Sequence, residues 1–242
     1  MDLETYASRV AEPIVSGGGA FMLHPETTAR GEAFGLDLGG FYGLGRGGVL
    51  GDVDADVVIS AFAFFEPGLV RAIWDGARAK HSPAEGAAAY ADACAAWGRD
   101  HLAEVDGLDE LATLLDKVSQ AASPIGAPLF AGWRAMPLPD DAPGRATQLL
   151  HVLRELRGGL HLVAVLAAGI TPRDALLLHV PDQAVLFGWS EPLPDPEPHR
   201  AALAEADANT NRLVAPAFAA LDDAERDRLA VTLDEVLATV SG

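Results

Sequence analysis

The chain has 242 residues, half of them hydrophobic, and carries 35 acidic against 17 basic side chains, which gives a formal charge of −18. This composition excludes a disordered chain, which has few apolar residues, and the single cysteine, Cys94, excludes a disulfide scaffold. We therefore expect a globular protein of one large domain or two small ones. The negative charge repels phosphate backbones, which argues against nucleic acid as a partner.

Neither a membrane span nor an export signal is indicated. The longest apolar runs, residues 57–65 and 162–170, have nine residues each, well short of the ~20 that cross a bilayer. The first residues, Met1-Asp2-Leu3-Glu4, are acidic, whereas a secretory signal begins with basic residues. These features predict a soluble, cytoplasmic protein.

Apolar residues recur every three or four positions early in the chain, a spacing typical of amphipathic helices. Residues 3–14 follow this pattern, and we predict that the helix ends at the glycines 17–19. Pro25-Glu26 suits the first turn of a second helix, which we expect to reach about Asp37. Seven glycines in the thirteen residues 39–51 predict an irregular loop, because glycine disfavours helix.

Proline and capping residues mark further boundaries. Ser82-Pro83-Ala84-Glu85 has the pattern of a capping box and opens an alanine-rich helix. Five prolines in residues 123–143 predict an extended connection, and those in residues 191–198 predict a polyproline segment on the surface. Gly158-Gly159 is expected to kink or interrupt the helix that begins near residue 145. The other predicted helices cover residues 57–65, 67–79, 108–118, 160–168, 171–179, 199–213 and 222–240.

These elements predict an all-α protein without a significant sheet. We expect about ten or eleven helices in a compact orthogonal or bundle-like arrangement. The proline-rich connection is the best candidate boundary, which would divide the chain into residues 1–135 and 143–242 unless the two form one continuous domain. The apolar stripe of the last helix suggests a homodimer.

The charge is unevenly distributed. Residues 143–190 hold four basic and three acidic side chains, whereas both flanking regions are strongly acidic. On a continuous helix Arg154, Arg157 and His161 would fall within about 60° of one another. One hypothesis is that this face binds an anionic or carbonyl-bearing small molecule, with His161 as ligand or proton carrier. The alternative is that the arginines pair with carboxylates of neighbouring helices and that His161 is a core residue.

Two weaker patterns lie nearer the start of the chain. His24 and Glu26 could converge on a metal or share a proton, with a third ligand such as His161, or they could simply cap a helix. No zinc-binding pattern is present, so no metal is predicted. Residues 43–48 satisfy GxGxxG, but no strand precedes them, so a dinucleotide site is not supported. Arg46 in this segment makes an ion pair in a helix connection or belongs to a ligand-contacting loop.

Several of these motifs, in this order, resemble an actinobacterial family of poorly characterised proteins, often labelled SalK-like or helix-turn-helix proteins. The resemblance covers about residues 20–180. It rests on residues 24–26, 41–42, 45–46, 50–51, 61–62, 67, 153–161 and 167–172. In that family a winged-helix unit usually follows the region of Trp189, which implies a regulator. Here residues 191–198 are proline-rich instead, and the helices that follow are acidic.

Two functional hypotheses follow. The first is a small-molecule or cofactor-binding protein, or an enzyme whose reaction and cofactor the sequence does not specify, with a pocket between the two helical halves. The second is a degenerate winged-helix-type transcriptional regulator or a protein-interaction module. The predicted pocket residues are His24, Glu26, Tyr42, Arg46, Arg154, Glu155, Arg157 and His161.

Overall fold

The computed structural model describes residues 1–241 and confirms an all-α fold. These residues form thirteen α-helices and four short 3-10 helices and contain no strand. The helices are α1 (Leu3–Arg9), α2 (Ala11–Gly19), α3 (Pro25–Ala33), α4 (Leu38–Gly47), α5 (Ala55–Ala61), α6 (Pro67–Arg78), α7 (Pro83–His101), α8 (Leu108–Ala121), α9 (Pro128–Arg134), α10 (Ala142–Ala167), α11 (Pro172–His179), α12 (Arg200–Val214) and α13 (Asp223–Ser241). The predicted number of ten or eleven is too low, partly because α9 occupies the proline-rich connection.

Glycine-rich segments are helical where the sequence predicts a stop or a loop. Helix α2 runs through Gly19, and α4 occupies most of residues 39–51. Asp37 caps α4 by accepting a hydrogen bond from the amide of Gly40 at 2.7 Å. A Cβ atom on Gly18 would lie 2.5 Å from the carbonyl oxygen of Leu150, so only glycine allows this approach of α2 to α10. Tertiary packing therefore outweighs the low helix propensity of glycine here.

Helix α10 is a single element of 26 residues, about 39 Å long, at the centre of the packing. It continues through Gly158-Gly159, where an interruption was expected. Glycine at position 159 allows the chain at Ala127 to approach α10 closely, because a Cβ atom on Gly159 would lie 2.7 Å from the Cα atom of Ala127. Helices α2, α7, α8, α9 and α12 all pack against α10.

One large hydrophobic cluster extends from Tyr6 near the start of the chain to Val236 near its end. A smaller cluster joins the end of α10 to α11 and α12. Cys94 is fully buried, and burial raises the pKa of its thiol. The division at residues 135 and 143 stays a prediction.

Local capping signals are confirmed more closely than the glycine signals. Ser82 and Glu85 form both hydrogen bonds of the capping box at the start of α7. Thr171 caps α11 by accepting from the amide of Asp174 at 3.1 Å. Among residues 1–241, no single helix combines the length and apolarity needed to cross a membrane; α10 and α11 pass that test only as a pair, which is bent by 113°.

Candidate functional site

A bidentate ion pair lies buried between α4 and α10. Arg46 donates from Nε to Oε1 and from Nη2 to Oε2 of Glu155, both at 2.8 Å. Arg154 donates to the same Oε1 at 2.9 Å, and the Tyr42 hydroxyl accepts from Arg46 Nη1 at 3.0 Å. Burial alone would raise the pKa of Glu155, but the charge and hydrogen bonds of Arg46, with the charge of Arg154, outweigh it and lower the pKa to about 2. At neutral pH Glu155 is therefore ionised, and these two arginines leave the cluster with one net positive charge.

His151, one turn before Glu155, is a core residue. Its ring lies edge-on to Trp133 and Phe21, with centroids 4.5 and 5.3 Å away. Burial lowers the pKa of His151 to about 4, although the Glu155 carboxylate lies 3.9 Å away. The ring is thus neutral at pH 7, and its Nδ1, 3.3 Å from the carbonyl oxygen of Gly18, donates to that oxygen.

A cavity of about 320 Å³ opens beside the ion pair. Its volume falls in the range of roughly 300–1,000 Å³ typical of small-molecule pockets. Three arginines and one glutamate line it, so its formal charge is +2 in a protein of −18 when the histidines are neutral. The ring of Phe62 lies 4.5 Å from the guanidinium carbon of Arg46. The aromatic part of the lining consists of Tyr42, Phe62, Phe64, Phe65 and Phe187.

Arg157 and His161 project from α10 into the same cavity. Arg157 donates to the side-chain oxygen of Asn211 at 2.8 Å, and no carboxylate among residues 1–241 lies within salt-bridge distance of it. Burial lowers the pKa of Arg157, an effect that Asp207 partly offsets. Burial also lowers the pKa of His161 to about 4, so this ring is neutral at pH 7. The stacked ring of Phe64, with its centroid 5.8 Å away, covers His161.

Two clusters of histidine and carboxylate groups could hold a metal ion. One consists of His161, His179 and Asp207, on α10, α11 and α12. The other combines His24 and Glu26 with His101 at the end of α7.

The structure brings most of the predicted pocket residues together. His24 and Glu26 lie outside the cavity lining. His24 caps α3 by accepting from the amide of Glu26 at 3.3 Å, and Glu26 lies 2.9 Å from Nε2 of His101. The residues that do line the cavity are Tyr42, Arg46, Arg154, Glu155, Arg157 and His161. Their role in ligand binding stays a prediction.

Other lining residues were missed by sequence reasoning. His179 lies in the segment 143–190 of low net charge but was not predicted as a site residue, and Phe62, Phe64 and Phe65 fall in the predicted helix 57–65. The sequence does contain a signal for the phenylalanines, because Phe62, Phe64 and Phe65 lie within four residues. Helix α5 ends at Ala61, just before them. No sequence signal connects Asp207 with the two histidines, because it lies 28 residues or more from either.

Comparison with protein families assigns the chain. The model of a helix-turn-helix family matches residues 6–196, more than three quarters of the sequence. The chain belongs to this helix-turn-helix family. The match includes every residue of the cavity lining and ends within the proline-rich segment.

Membership of the helix-turn-helix family corrects one prediction. Net charge suggested that nucleic acid is not a partner, and this inference is wrong because the family makes nucleic acid a candidate partner. Net charge averages over the whole surface and does not describe a local binding face. Neither a curated protein nor a solved structure matches the chain.

Proposed function

We propose that this protein is a DNA-binding regulator of the helix-turn-helix family that responds to a small molecule held in its central cavity. The carrying observation is the cavity of about 320 Å³, lined by aromatic rings and three arginines, within the part of the chain that matches the family. The narrower relationship to actinobacterial SalK-like proteins belongs to the same proposal and is supported by the ordered motifs of residues 24–172.

The lining defines the class of ligand. Its apolar surface suits a flat, largely hydrophobic molecule, because aromatic side chains bury such rings well. Arg46 and Arg154 both bind the Glu155 carboxylate, whereas the hydrogen-bond partner of Arg157 among residues 1–241 is the neutral amide of Asn211. In the described part of the chain Arg157 is thus the lining arginine without a carboxylate partner, and it can bind an anionic group of the ligand by a charge-assisted hydrogen bond.

The fluorescent anion 8-anilinonaphthalene-1-sulfonate tests this assignment. We expect saturable binding to one site, and we expect Arg157→Gln to weaken it about 10-fold, the effect of losing one hydrogen bond to a charged group. The uncharged analogue N-phenyl-1-naphthylamine should bind the variant and the wild type equally. Fluorescence titration measures both affinities.

Arg173→Gln is the matched control, since Arg173 stacks on Trp189 and does not line the cavity. It should leave both affinities unchanged. Absence of saturable binding of either dye, or an equal loss of both dyes in Arg157→Gln, would contradict an anion site at Arg157. Thermal melting of each variant checks that the fold is intact.

DNA binding is the second testable part of the proposal, and family membership supports it. Helices α5 and α6 are joined by five residues and pack together, and α6 with its C-terminal end carries Arg71, Arg78 and Lys80 within ten residues. Arg71 pairs with Asp56 and Arg78 with Asp52, all at least partly exposed, so phosphates can replace these carboxylates. We therefore place the DNA-contacting face on α6.

Fluorescence anisotropy with sheared genomic DNA at 50–200 mM salt measures this binding. A protein that contacts several phosphates loses affinity steeply over that range, with a slope of about −0.9 per contact in a log–log plot. We expect Arg71→Gln to weaken binding and lower the slope by about 1, whereas Arg200→Gln on α12 changes neither. No anisotropy change at the lowest salt would exclude a DNA-binding role, and equal effects of the two variants would exclude α6 as the contacting face.

A further inference from the structure

The cluster of His161, His179 and Asp207 has the chemistry of a metal site. Two imidazoles and one carboxylate are the ligands that bind zinc, iron and related divalent transition metals. The three side chains come from three different helices, so the fold and not the local sequence brings them together. The inference of a metal site therefore does not depend on the proposed regulator function.

The distances are those of a metal-ligand set. Asp207 Oδ1 lies 3.7 Å from Nδ1 of His161 and 3.5 Å from Nε2 of His179. Candidate ligand atoms of all three residues lie within 4.8 Å of one another. Two ligands that are each about 2.1 Å from a tetrahedral metal are about 3.4 Å apart, so only small side-chain movements are needed to close the site. The 3.7 Å separation from His161 exceeds a normal hydrogen-bond length, and the 3.5 Å separation from His179 is at its upper limit, so the rings hold the carboxylate weakly.

Neighbouring groups hold the first imidazole in place. Thr210 Oγ1 lies 3.0 Å from Nδ1 of His161, and the Thr210 hydroxyl donates to the carbonyl oxygen of Ala206 at 2.8 Å. Phe64 stacks on the same imidazole. Because the Thr210 hydroxyl donates to Ala206, its oxygen accepts from Nδ1–H of His161 in the metal-free protein. A metal bound at Nδ1 replaces this hydrogen bond, whereas a metal bound at Nε2 keeps it as the contact that orients the ring.

The position of the cluster leaves room for further ligands. His161 and His179 both belong to the cavity wall, while Asp207 is about two fifths exposed. A metal held by three protein groups has at least one coordination position left for water or a small molecule. The geometry points to a divalent transition-metal site formed by His161, His179 and Asp207 at the wall of the cavity.

The second histidine cluster provides an internal comparison. In the group of His24, Glu26 and His101, Nδ1 of His24 accepts a backbone hydrogen bond, and Glu26 is bonded directly to His101 at 2.9 Å. The carboxylate of this cluster is thus already hydrogen-bonded at a normal length, unlike that of Asp207, and the cluster does not line the cavity. We therefore expect it to bind metal much more weakly.

Titration of the metal-stripped full chain with Co²⁺ and Zn²⁺ tests the inference. We expect one equivalent of metal per chain and, for Co²⁺, visible absorption bands typical of nitrogen and oxygen ligands. His179→Ala and Asp207→Asn should each lower affinity about 100-fold or more, since loss of a supporting contact alone costs about 10–100-fold. His101→Ala should change neither stoichiometry nor affinity.

Binding at the other cluster, or none at all, would overturn the inference. Loss of the Co²⁺ spectrum in His101→Ala but not in His179→Ala would assign the metal to the second cluster. Failure of the wild type to bind stoichiometric metal would remove the site altogether. Both His179 and Asp207 are about two fifths exposed, so their variants should fold, and circular dichroism checks this. The dye and DNA titrations, made without metal, report separately on the proposed function.

Discussion

Arg46→Met is expected to lower the free energy of unfolding by about 3 kcal/mol, because it leaves the carboxylate of Glu155 buried without its bidentate partner. Only 1% of that side chain is exposed, so water cannot replace the lost bonds. Arg154 still donates one hydrogen bond to Glu155, which places the expected loss at the lower end of the range for breaking a buried pair. Urea unfolding followed by circular dichroism measures the change.

The double variant Arg46→Met/Glu155→Leu is the control for this prediction. It removes both buried charges and leaves Arg154, about a quarter exposed, to reach solvent. We expect the double variant to be more stable than Arg46→Met alone, since buried ion pairs replaced by apolar groups are often neutral in stability. If the stability loss of the double variant equalled the sum of the losses in Arg46→Met and Glu155→Leu, Arg46 and Glu155 would not be energetically coupled.

Gly18→Ala is expected to destabilise the protein by about 2–3 kcal/mol, toward the upper end of the range for overpacking. The added Cβ atom would lie 2.5 Å from the carbonyl oxygen and 2.7 Å from the carbonyl carbon of Leu150. Backbone atoms cannot rotate away as a side chain does, so α2 and α10 must separate. Urea unfolding of the variant measures the cost.

Gly76→Ala is the matched substitution, because it also replaces a helical glycine by alanine. Its added Cβ atom would meet no atom within 4 Å. The higher helix propensity of alanine should raise stability by about 0.5–1 kcal/mol. If both substitutions changed the free energy of unfolding equally, the close approach of α2 to α10 at Gly18 would not contribute to the stability of the protein.

The all-α fold could be predicted from helix propensity and capping residues, whereas the helical state of the glycine-rich segments depends on long-range packing. Alanine and the caps at Ser82 and Thr171 act within a few residues, so their signals can be found in the sequence. Helix α4 and the continuity of α10 through Gly158-Gly159 depend on contacts with residues far away in the chain, such as Ala127 for Gly159. Glycine therefore predicts a break that tertiary packing removes.

The candidate site divides in the same way. The charge map located residues 143–190, and helical periodicity placed Arg154, Arg157 and His161 on one face of a helix, because those properties belong to one continuous segment. The contribution of Asp207 depends on how α12 packs against α10, which no spacing in the sequence reports. The spacing in the sequence could not test the suggested proximity of His24 to His161 either, because the two residues belong to separate parts of the fold.

Helix α10 also sets the order in which the chain completes its core. Four of the helices that pack against it, α2, α7, α8 and α9, precede it in sequence, whereas α12 follows. During synthesis, at roughly 5–20 residues per second, these four helices are made before α10. Their apolar faces stay uncovered for seconds, an interval in which aggregation and chaperones compete with folding. The nascent protein thus depends on a helix that arrives late.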